Sequence, residues 1–99
     1  MTKNGADHID SLRDGRAIFL DGRRVDDVTQ DPAYRGAVGS VARLYDFQAA
    51  GENLDLMTFE SPTGGGRVSR CWELPGDYED LVRRREMLTA WAELSYGFF

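Results

Sequence analysis

The spacing of apolar residues along the chain switches between a helical and a strand period. The clearest helical pattern follows Asp31-Pro32, where the aspartate suits an N-cap and the proline a first helical position. Apolar residues then recur at intervals of three and four and predict a long helix ending at Gly51. Gly36 and Gly39 weaken this helix and are expected to let a neighbouring element approach closely. Its predicted core-facing stripe comprises Tyr34, Ala37, Val38, Val41, Leu44 and Tyr45.

Two further helices are predicted near the chain ends. Residues 7–13 place Ile9 and Leu12 three apart on one face, and Gly15 supplies a stop. Asp77 suits the N-cap of a final helix. That helix carries two overlapping apolar faces, one with Leu81, Leu88, Trp91 and Ala92 and the other with Met87, Trp91, Leu94 and Phe98.

A helix with so wide an apolar surface needs neighbours on two sides. The other predicted elements can cover only one of these sides. The closing residues Gly97-Phe98-Phe99 add two aromatic side chains. We therefore expect this sequence to be a piece of something larger. We also expect the chain alone to self-associate or to be unstable, because large exposed apolar patches mark interfaces or aggregation sites.

Two short hairpins complete the predicted fold. Residues 17–20 and 23–25 flank Asp21-Gly22, a pair typical of tight hairpin turns. Residues 56–60 and 67–74 flank a glycine-rich loop, and in the second arm Arg70 shares one face with Val68, Trp72 and Leu74. The sequence thus predicts a mainly helical α+β fold with three helices and two hairpins.

Composition narrows the class of protein. A chain of 99 residues forms one domain at most, and 12 basic against 17 acidic residues give a net charge of −5. This sign argues against a nucleic-acid binder and against docking on an anionic membrane. Since no apolar run approaches the roughly 20 residues of a membrane span, a cytoplasmic protein is expected.

The sequence contains few groups with obvious chemistry. One cysteine, Cys71, and one histidine, His8, cannot form an internal disulfide or a Cys/His zinc site. We interpret Cys71 as an inert thiol in a strand and His8 as a solvated side chain near the terminus. The glycines of residues 64–66 lead into a strand rather than a helix, which indicates a flexible hairpin tip and not a phosphate loop.

Two charged clusters also favour structural interpretations. Asp26, Asp27 and Asp31 lack the ligand spacing of a calcium loop and indicate a solvated turn. Residues 83–85 are three arginines that point in different directions around a helix, as expected for a solvated face paired with Glu79 and Asp80. A subunit or domain contact is the alternative. The residues alone therefore indicate no catalytic, cofactor-binding or metal site.

Several ordered blocks of the sequence nevertheless resemble one family. Residues 11–16, 20–29, 31–35, 40–46, 57–62 and 79–85 are similar to the N-terminal segment of the 4-hydroxyphenylacetate 3-monooxygenase large-component family. That family also includes related phenol hydroxylases, a pigment-biosynthesis oxygenase and 4-hydroxybutyryl-CoA dehydratase.

The resemblance implies an acyl-CoA-dehydrogenase-like architecture, with a helical N-terminal domain, a central β-barrel and a C-terminal helical bundle in dimers or tetramers. Residues 1–99 would be the N-terminal domain, without the barrel and the bundle. The implied enzyme is a monooxygenase: a reductase supplies reduced FAD, a flavin hydroperoxide forms with O₂, and a phenol is hydroxylated ortho to its hydroxyl. The N-terminal domain would serve as scaffold, line one side of the substrate pocket and contribute oligomer contacts.

The resemblance assigns no catalytic, cofactor-binding or metal residue to this sequence. After Trp91-Ala92-Glu93 and Gly97, the family pattern continues with a Gly-Arg-Ser-Pro-Asp-Tyr block that approaches the phenolic oxygen, and residues 1–99 do not contain it. We therefore expect these residues alone to be inactive and not to bind FAD. Two alternatives stay open: the dehydratase branch, with an iron–sulfur cluster and a CoA ester, and a non-catalytic module that completes a partner chain.

Overall fold

The fold is taken from a computed structural model that describes residues 2–97. Four α-helices and two antiparallel hairpins occur in this range, so the predicted fold class is confirmed with one helix more than expected. The elements, in chain order, are α1 Gly5–Ser11, β1 Ile18–Leu20, β2 Arg23–Val25, α2 Arg35–Ala49, α3 Leu54–Met57, β3 Thr58–Glu60, β4 Arg67–Ser69 and α4 Tyr78–Leu94. Within the described range, no helix is long and apolar enough to cross a membrane.

The first hairpin forms as the sequence predicts. Asp21 and Gly22 both adopt positive φ, 51° and 80°, which is the backbone that the tight turn requires. The register pairs Ile18 with Val25 and Leu20 with Arg23. Val25 is buried, so the hairpin contributes to the core through one side chain of β2.

Helix α2 begins three residues later than the Asp31-Pro32 pair predicted. The Asp31 carboxylate accepts a hydrogen bond from the Ala33 amide at 2.9 Å and forms an ion pair with Arg23 at 2.7 Å. It therefore stabilises a turn against β2, and the first helical residue is Arg35. Most of the predicted stripe faces inward: Leu44 is buried, Ala37 is exposed, and the other members are half-buried, namely Tyr34, Val38, Val41 and Tyr45. Ala42 and Gln48 are buried in addition.

The close helix contact lies at a different glycine from those predicted. A Cβ at Gly36 or Gly39 would meet no atom within 4 Å, so the expected close approach at these positions is wrong. Helix α1 instead touches α2 at Gly5, whose amide donates to Asp46 Oδ1 at 2.7 Å. A Cβ on Gly5 would lie 2.6 Å from the carbonyl oxygen of Ala42. Only glycine fits there.

The second hairpin is shorter than predicted. Residues 58–60 pair with 67–69, and the Gly-rich tip between them is confirmed, with φ near +90° at Gly64, Gly65 and Gly66. The chain forms helix α3 before the hairpin and a single 3₁₀ turn at Arg70–Trp72 after it. The face predicted to be shared by Arg70 and its apolar neighbours does not form, since Arg70 is buried whereas Val68, Trp72 and Leu74 are exposed.

Helix α4 carries the surplus of apolar surface that the sequence predicts. Its N-cap is Asp77, as predicted, and the carboxylate accepts from the Asp80 amide at 2.8 Å. Met87 is fully buried, yet Leu81 and Leu88 remain 52% and 47% exposed. Phe98 and Phe99, which belonged to the same prediction, lie outside the described residues.

Candidate functional site

Arg70 is the most completely buried charge of the described chain, with 6% of its surface exposed. Its guanidinium donates to the backbone oxygens of Leu56, Asp55 and Thr58 at 3.2, 2.7 and 2.7 Å, and to Glu73 Oε1 at 2.9 Å. The first two carbonyls lie in the short helix α3, and the last carbonyls of a helix have no donor within the helix itself. Arg70 thus joins α3, β3 and the 3₁₀ turn into one corner.

Arg67 strengthens the same corner from the hairpin side. Its Nε donates to Thr58 Oγ1 at 2.9 Å, and its Nη2 donates to the Thr58 carbonyl at 3.0 Å. Thr58 Oγ1 in turn donates to the Leu54 carbonyl. Sequence analysis missed this cluster, although a charged residue at an alternating apolar position was the available signal. Every partner is structural, so the corner positions neighbouring surfaces and performs no chemistry.

Cys71 lies at a small cavity of about 110 Å³ between α2, α4 and the 3₁₀ turn. The thiol is partly buried and accepts a hydrogen bond from the Ser69 hydroxyl at 3.1 Å. The Trp91 indole N–H, also at this cavity, is buried without a hydrogen-bond partner. Cys71 is in a turn rather than the predicted strand. No base contacts it among the described residues, and its inertness stays a prediction.

His8 is not the solvated side chain that the sequence predicted. Its ring stacks on Tyr45 with centroids 4.5 Å apart, and Nδ1 is buried without a hydrogen-bond partner. Burial, followed by the nearby charge of Lys3, lowers the pKa of His8. The histidine therefore packs as a neutral aromatic ring between α1 and α2.

The acidic cluster forms hydrogen-bonded turns. Asp27 accepts from the Thr29 amide and hydroxyl, which lowers the pKa of Asp27, and Asp31 is held by Arg23. In the part of the chain that the structure describes, no group of three or more His, Cys, Asp or Glu side chains is placed to bind a metal ion. The three aspartates do not converge on one point.

The three arginines of α4 have three different environments. Arg83 forms an ion pair with Asp80, one of the two predicted partners. Arg84 instead donates to the carbonyl oxygen of Glu73. Arg85 is exposed and forms no ion pair with any described residue. The three side chains therefore do not form one basic site.

The strongest candidate for function is an apolar surface rather than a catalytic cluster. We name the α4 flank as the exposed stripe of Tyr78, Leu81, Arg85 and Leu88, with Ala92 at its end. A groove of about 530 Å³ lies beside the C-terminal end of α4, lined by Ala37, Ser40, Arg43, Leu44, Leu94, Ser95 and Tyr96. Neither surface pairs a nucleophile with a base, so the chemistry that they offer is binding.

A family model and individual relatives place this chain in the same family. The family model for the N-terminal region of 4-hydroxyphenylacetate 3-hydroxylase matches residues 4–99. The pyoverdin chromophore biosynthetic protein PvcC of Pseudomonas aeruginosa is 44% identical over 94 residues, covering 95% of this chain and 18% of that protein. The 4-hydroxyphenylacetate 3-monooxygenase oxygenase component of Escherichia coli is 39% identical over 95 residues, with the same 95% and 18% coverage.

Solved structures agree with these relatives. The oxygenase component of 4-hydroxyphenylacetate 3-monooxygenase complexed with FAD matches with a TM-score of 0.82 at 32% identity, covering 92% of this chain and 19% of that one. An archaeal 4-hydroxybutyryl-CoA dehydratase from N. maritimus matches with a TM-score of 0.73 at 29% identity, covering 94% and 18%. The chain spans about a fifth of the length of these relatives. Both the predicted resemblance and the fold are confirmed, and the chain belongs to the 4-hydroxyphenylacetate 3-hydroxylase family, whose N-terminal region it matches.

Proposed function

We propose that the chain is the N-terminal domain of the oxygenase component of a two-component, reduced-FAD-dependent aromatic monooxygenase. The enzyme inserts one oxygen atom of O₂ ortho to the hydroxyl group of a phenol. A separate flavin reductase is its partner, and the oxygenase works as a dimer or tetramer. The observation that carries the proposal is the TM-score of 0.82 to an FAD-complexed oxygenase component, together with 39% identity to such a component in E. coli.

The groove beside the C-terminal end of α4 does not have the lining of a flavin dinucleotide site. The groove beside Arg43 offers one cation and mainly apolar walls, whereas a dinucleotide pyrophosphate is bound by convergent backbone amides or several cations. When bound by the complete enzyme, reduced FAD supplies the oxygen-activating chemistry.

The chain's own residues supply shape and contacts. The Arg70 corner fixes the turn that precedes α4, and Gly5 seats α1 against α2. These contacts hold the α4 flank and the groove in place as surfaces that face the rest of the oxygenase. In this role the domain would line one side of the substrate pocket and keep water out of it, beside the reduced FAD that the complete enzyme would bind.

The dehydratase branch has weaker support than the hydroxylase branch. Its structure matches with a TM-score of 0.73, against 0.82 for the oxygenase component. The one cysteine and one histidine of this sequence, Cys71 and His8, lie in separate contacts, one beside Ser69 and the other stacked on Tyr45. They do not combine into a cluster site.

Reconstitution tests the proposal directly. The E. coli oxygenase component is prepared without the segment that matches this chain, and the chain is added in trans. Chemically reduced FAD, ¹⁸O₂ and 4-hydroxyphenylacetate or simple phenols are then supplied, and mass spectrometry follows the label. We expect a labelled catechol when both polypeptides are present.

The two polypeptides tested singly are the controls. Each polypeptide alone should give no labelled product, because the active site of the oxygenase needs both polypeptides. A complex that forms but leaves every phenol unchanged would contradict the proposed activity. Such a result would favour a non-catalytic module that completes a partner chain.

A further inference from the structure

The α4 flank has the spacing of a helix-packing surface. Tyr78, Leu81, Arg85, Leu88 and Ala92 follow intervals of three and four, which align them along one side of the helix. Met87, about 100° around the helix from its neighbour in the flank, is the residue that α4 buries. The flank is thus a second contact face, separate from the one used within the chain.

Exposed apolar side chains also lie on the segment that precedes α4. Arg84 holds the carbonyl of Glu73 against α4, so the segment 72–74 runs beside the helix. Trp72 and Leu74 are 76% and 90% exposed there. On the flank itself, Tyr78 and Leu81 are 71% and 52% exposed, so the helix and the segment before it both carry exposed apolar side chains.

Arg85 determines which occupant fits. It sits in the middle of the flank and has no ion-pair partner among the residues described. If two copies of α4 packed on each other about a two-fold axis through this position, Arg85 would face Arg85, and like charges directly opposed are destabilising. A second copy is therefore a poor occupant, and a partner with a carboxylate at this point is a good one.

We propose that the α4 flank docks an amphipathic helix from the rest of the oxygenase polypeptide, with an acidic side chain opposite Arg85. The inference rests on the proposed function. Intervals of three and four select a helix as partner, because ridges with this spacing fit the grooves of another helix. About four fifths of each relative lies outside the matching segment and provides the source of that helix.

Binding in trans tests the docking. The affinity of the chain for the E. coli oxygenase component lacking its matching segment is measured by isothermal titration calorimetry, without flavin or substrate. Leu88→Glu and Arg85→Glu should each weaken binding at least tenfold. Phe19→Glu on β1 and Arg24→Glu on β2 are the matched controls, since both residues are exposed and lie outside the flank.

The outcomes separate this inference from the proposed function. Loss of binding in the flank variants with intact controls supports docking, even if no phenol is hydroxylated. If the complex hydroxylates a phenol and the flank variants leave its affinity unchanged, the docking proposal is overturned and the proposed function stands. A wild-type chain that does not bind, or equal losses in the control variants, also overturns docking.

A measurement on the chain alone keeps the inference testable without the second polypeptide. Arg85→Leu removes the like-charge barrier and should strengthen self-association at least tenfold in sedimentation equilibrium. Arg24→Leu, which adds the same apolar side chain elsewhere, should leave self-association near that of the wild type. Equal behaviour of the two variants would refute the role given to Arg85.

Discussion

At the scale of single residues, Arg70 is the side chain on which the most contacts depend. Arg70→Met would leave the carbonyls of Asp55 and Leu56 and the Glu73 carboxylate without the Arg70 donor, whereas the Thr58 carbonyl would keep its bond from Arg67. We expect a loss of about 3–5 kcal/mol in the free energy of unfolding, the usual cost of removing one partner of a buried pair. Urea denaturation followed by circular dichroism measures it.

The control for Arg70→Met is Arg24→Met, because Arg24 is exposed on β2. Arg24→Met should change the free energy of unfolding by no more than about 0.5 kcal/mol. Arg70→Lys should fall between the two, since an ammonium group cannot match the forked geometry of a guanidinium. Equal unfolding free energies for the wild type and Arg70→Met would show that the corner is not stabilising.

Alanine substitutions at two glycines are expected to change the stability of the fold in opposite directions. Gly5→Ala places a Cβ 2.6 Å from the Ala42 carbonyl and should cost about 1–3 kcal/mol as α1 is pushed from α2. Gly39→Ala meets no atom and should stabilise α2 by up to about 1 kcal/mol. Thermal melts of the two variants check the prediction, and melting temperatures that shift in the same direction would contradict it.

The environment of His8 predicts that the stability of the fold depends on pH near neutrality. Because its pKa is lowered from 6.5 in the folded chain, the unfolded chain binds a proton more readily. The stability that neutral His8 provides is complete above pH 6.5 and is lost as the pH falls below that value. His8→Phe keeps a ring against Tyr45 and removes the proton, so it should reduce the fall in melting temperature between about pH 7.5 and about pH 5.

The carboxylates do not interfere with this measurement. The pKa values of Asp27, Asp31 and Asp80 lie below the usual 3.8, so their contributions are present above that pH and decline only in stronger acid. A wild-type chain whose melting temperature falls no more steeply than that of His8→Phe would contradict the assignment to His8.

At the scale of elements, turn and cap residues in the sequence predict the local structure correctly where no distant residue competes for their hydrogen bonds. Asp21-Gly22 forms its turn and Asp77 caps α4 because each needs only neighbours within a few residues. Asp31 does not cap α2, and its carboxylate is instead shared with Arg23, eight residues away. The strand predicted over 67–74 stops at Ser69 because Arg70 turns inward to the carbonyls of α3.

The cap of α4 gives a prediction at this scale. Asp77→Ala removes the acceptor for the Asp80 amide and should cost about 1 kcal/mol of unfolding free energy. Asp77→Asn, which retains a capping oxygen, should recover most of the loss. Chemical denaturation of both variants measures the effect; a cost for asparagine equal to that for alanine would contradict the capping role.

At the scale of the whole molecule, the described chain is extended and its core is small. The radius of gyration is 15.6 Å, compared with about 13 Å for a typical compact domain of 100 residues. Its buried apolar side chains are Val25, Ala42, Leu44, Met57 and Met87. The sequence predicted the excess of apolar surface on α4 through periodicity, whereas the Arg70 corner depends on tertiary contacts that periodicity does not encode.

Calorimetry of the chain alone and with the E. coli oxygenase component lacking its matching segment tests the central claim most directly. Alone, the chain should be of low stability or self-associated, because its apolar surface exceeds what its own elements cover. Addition of the E. coli oxygenase component lacking its matching segment should raise the melting temperature as the α4 flank is covered. A stable, monomeric chain that unfolds cooperatively at a temperature unaffected by that addition would contradict the account.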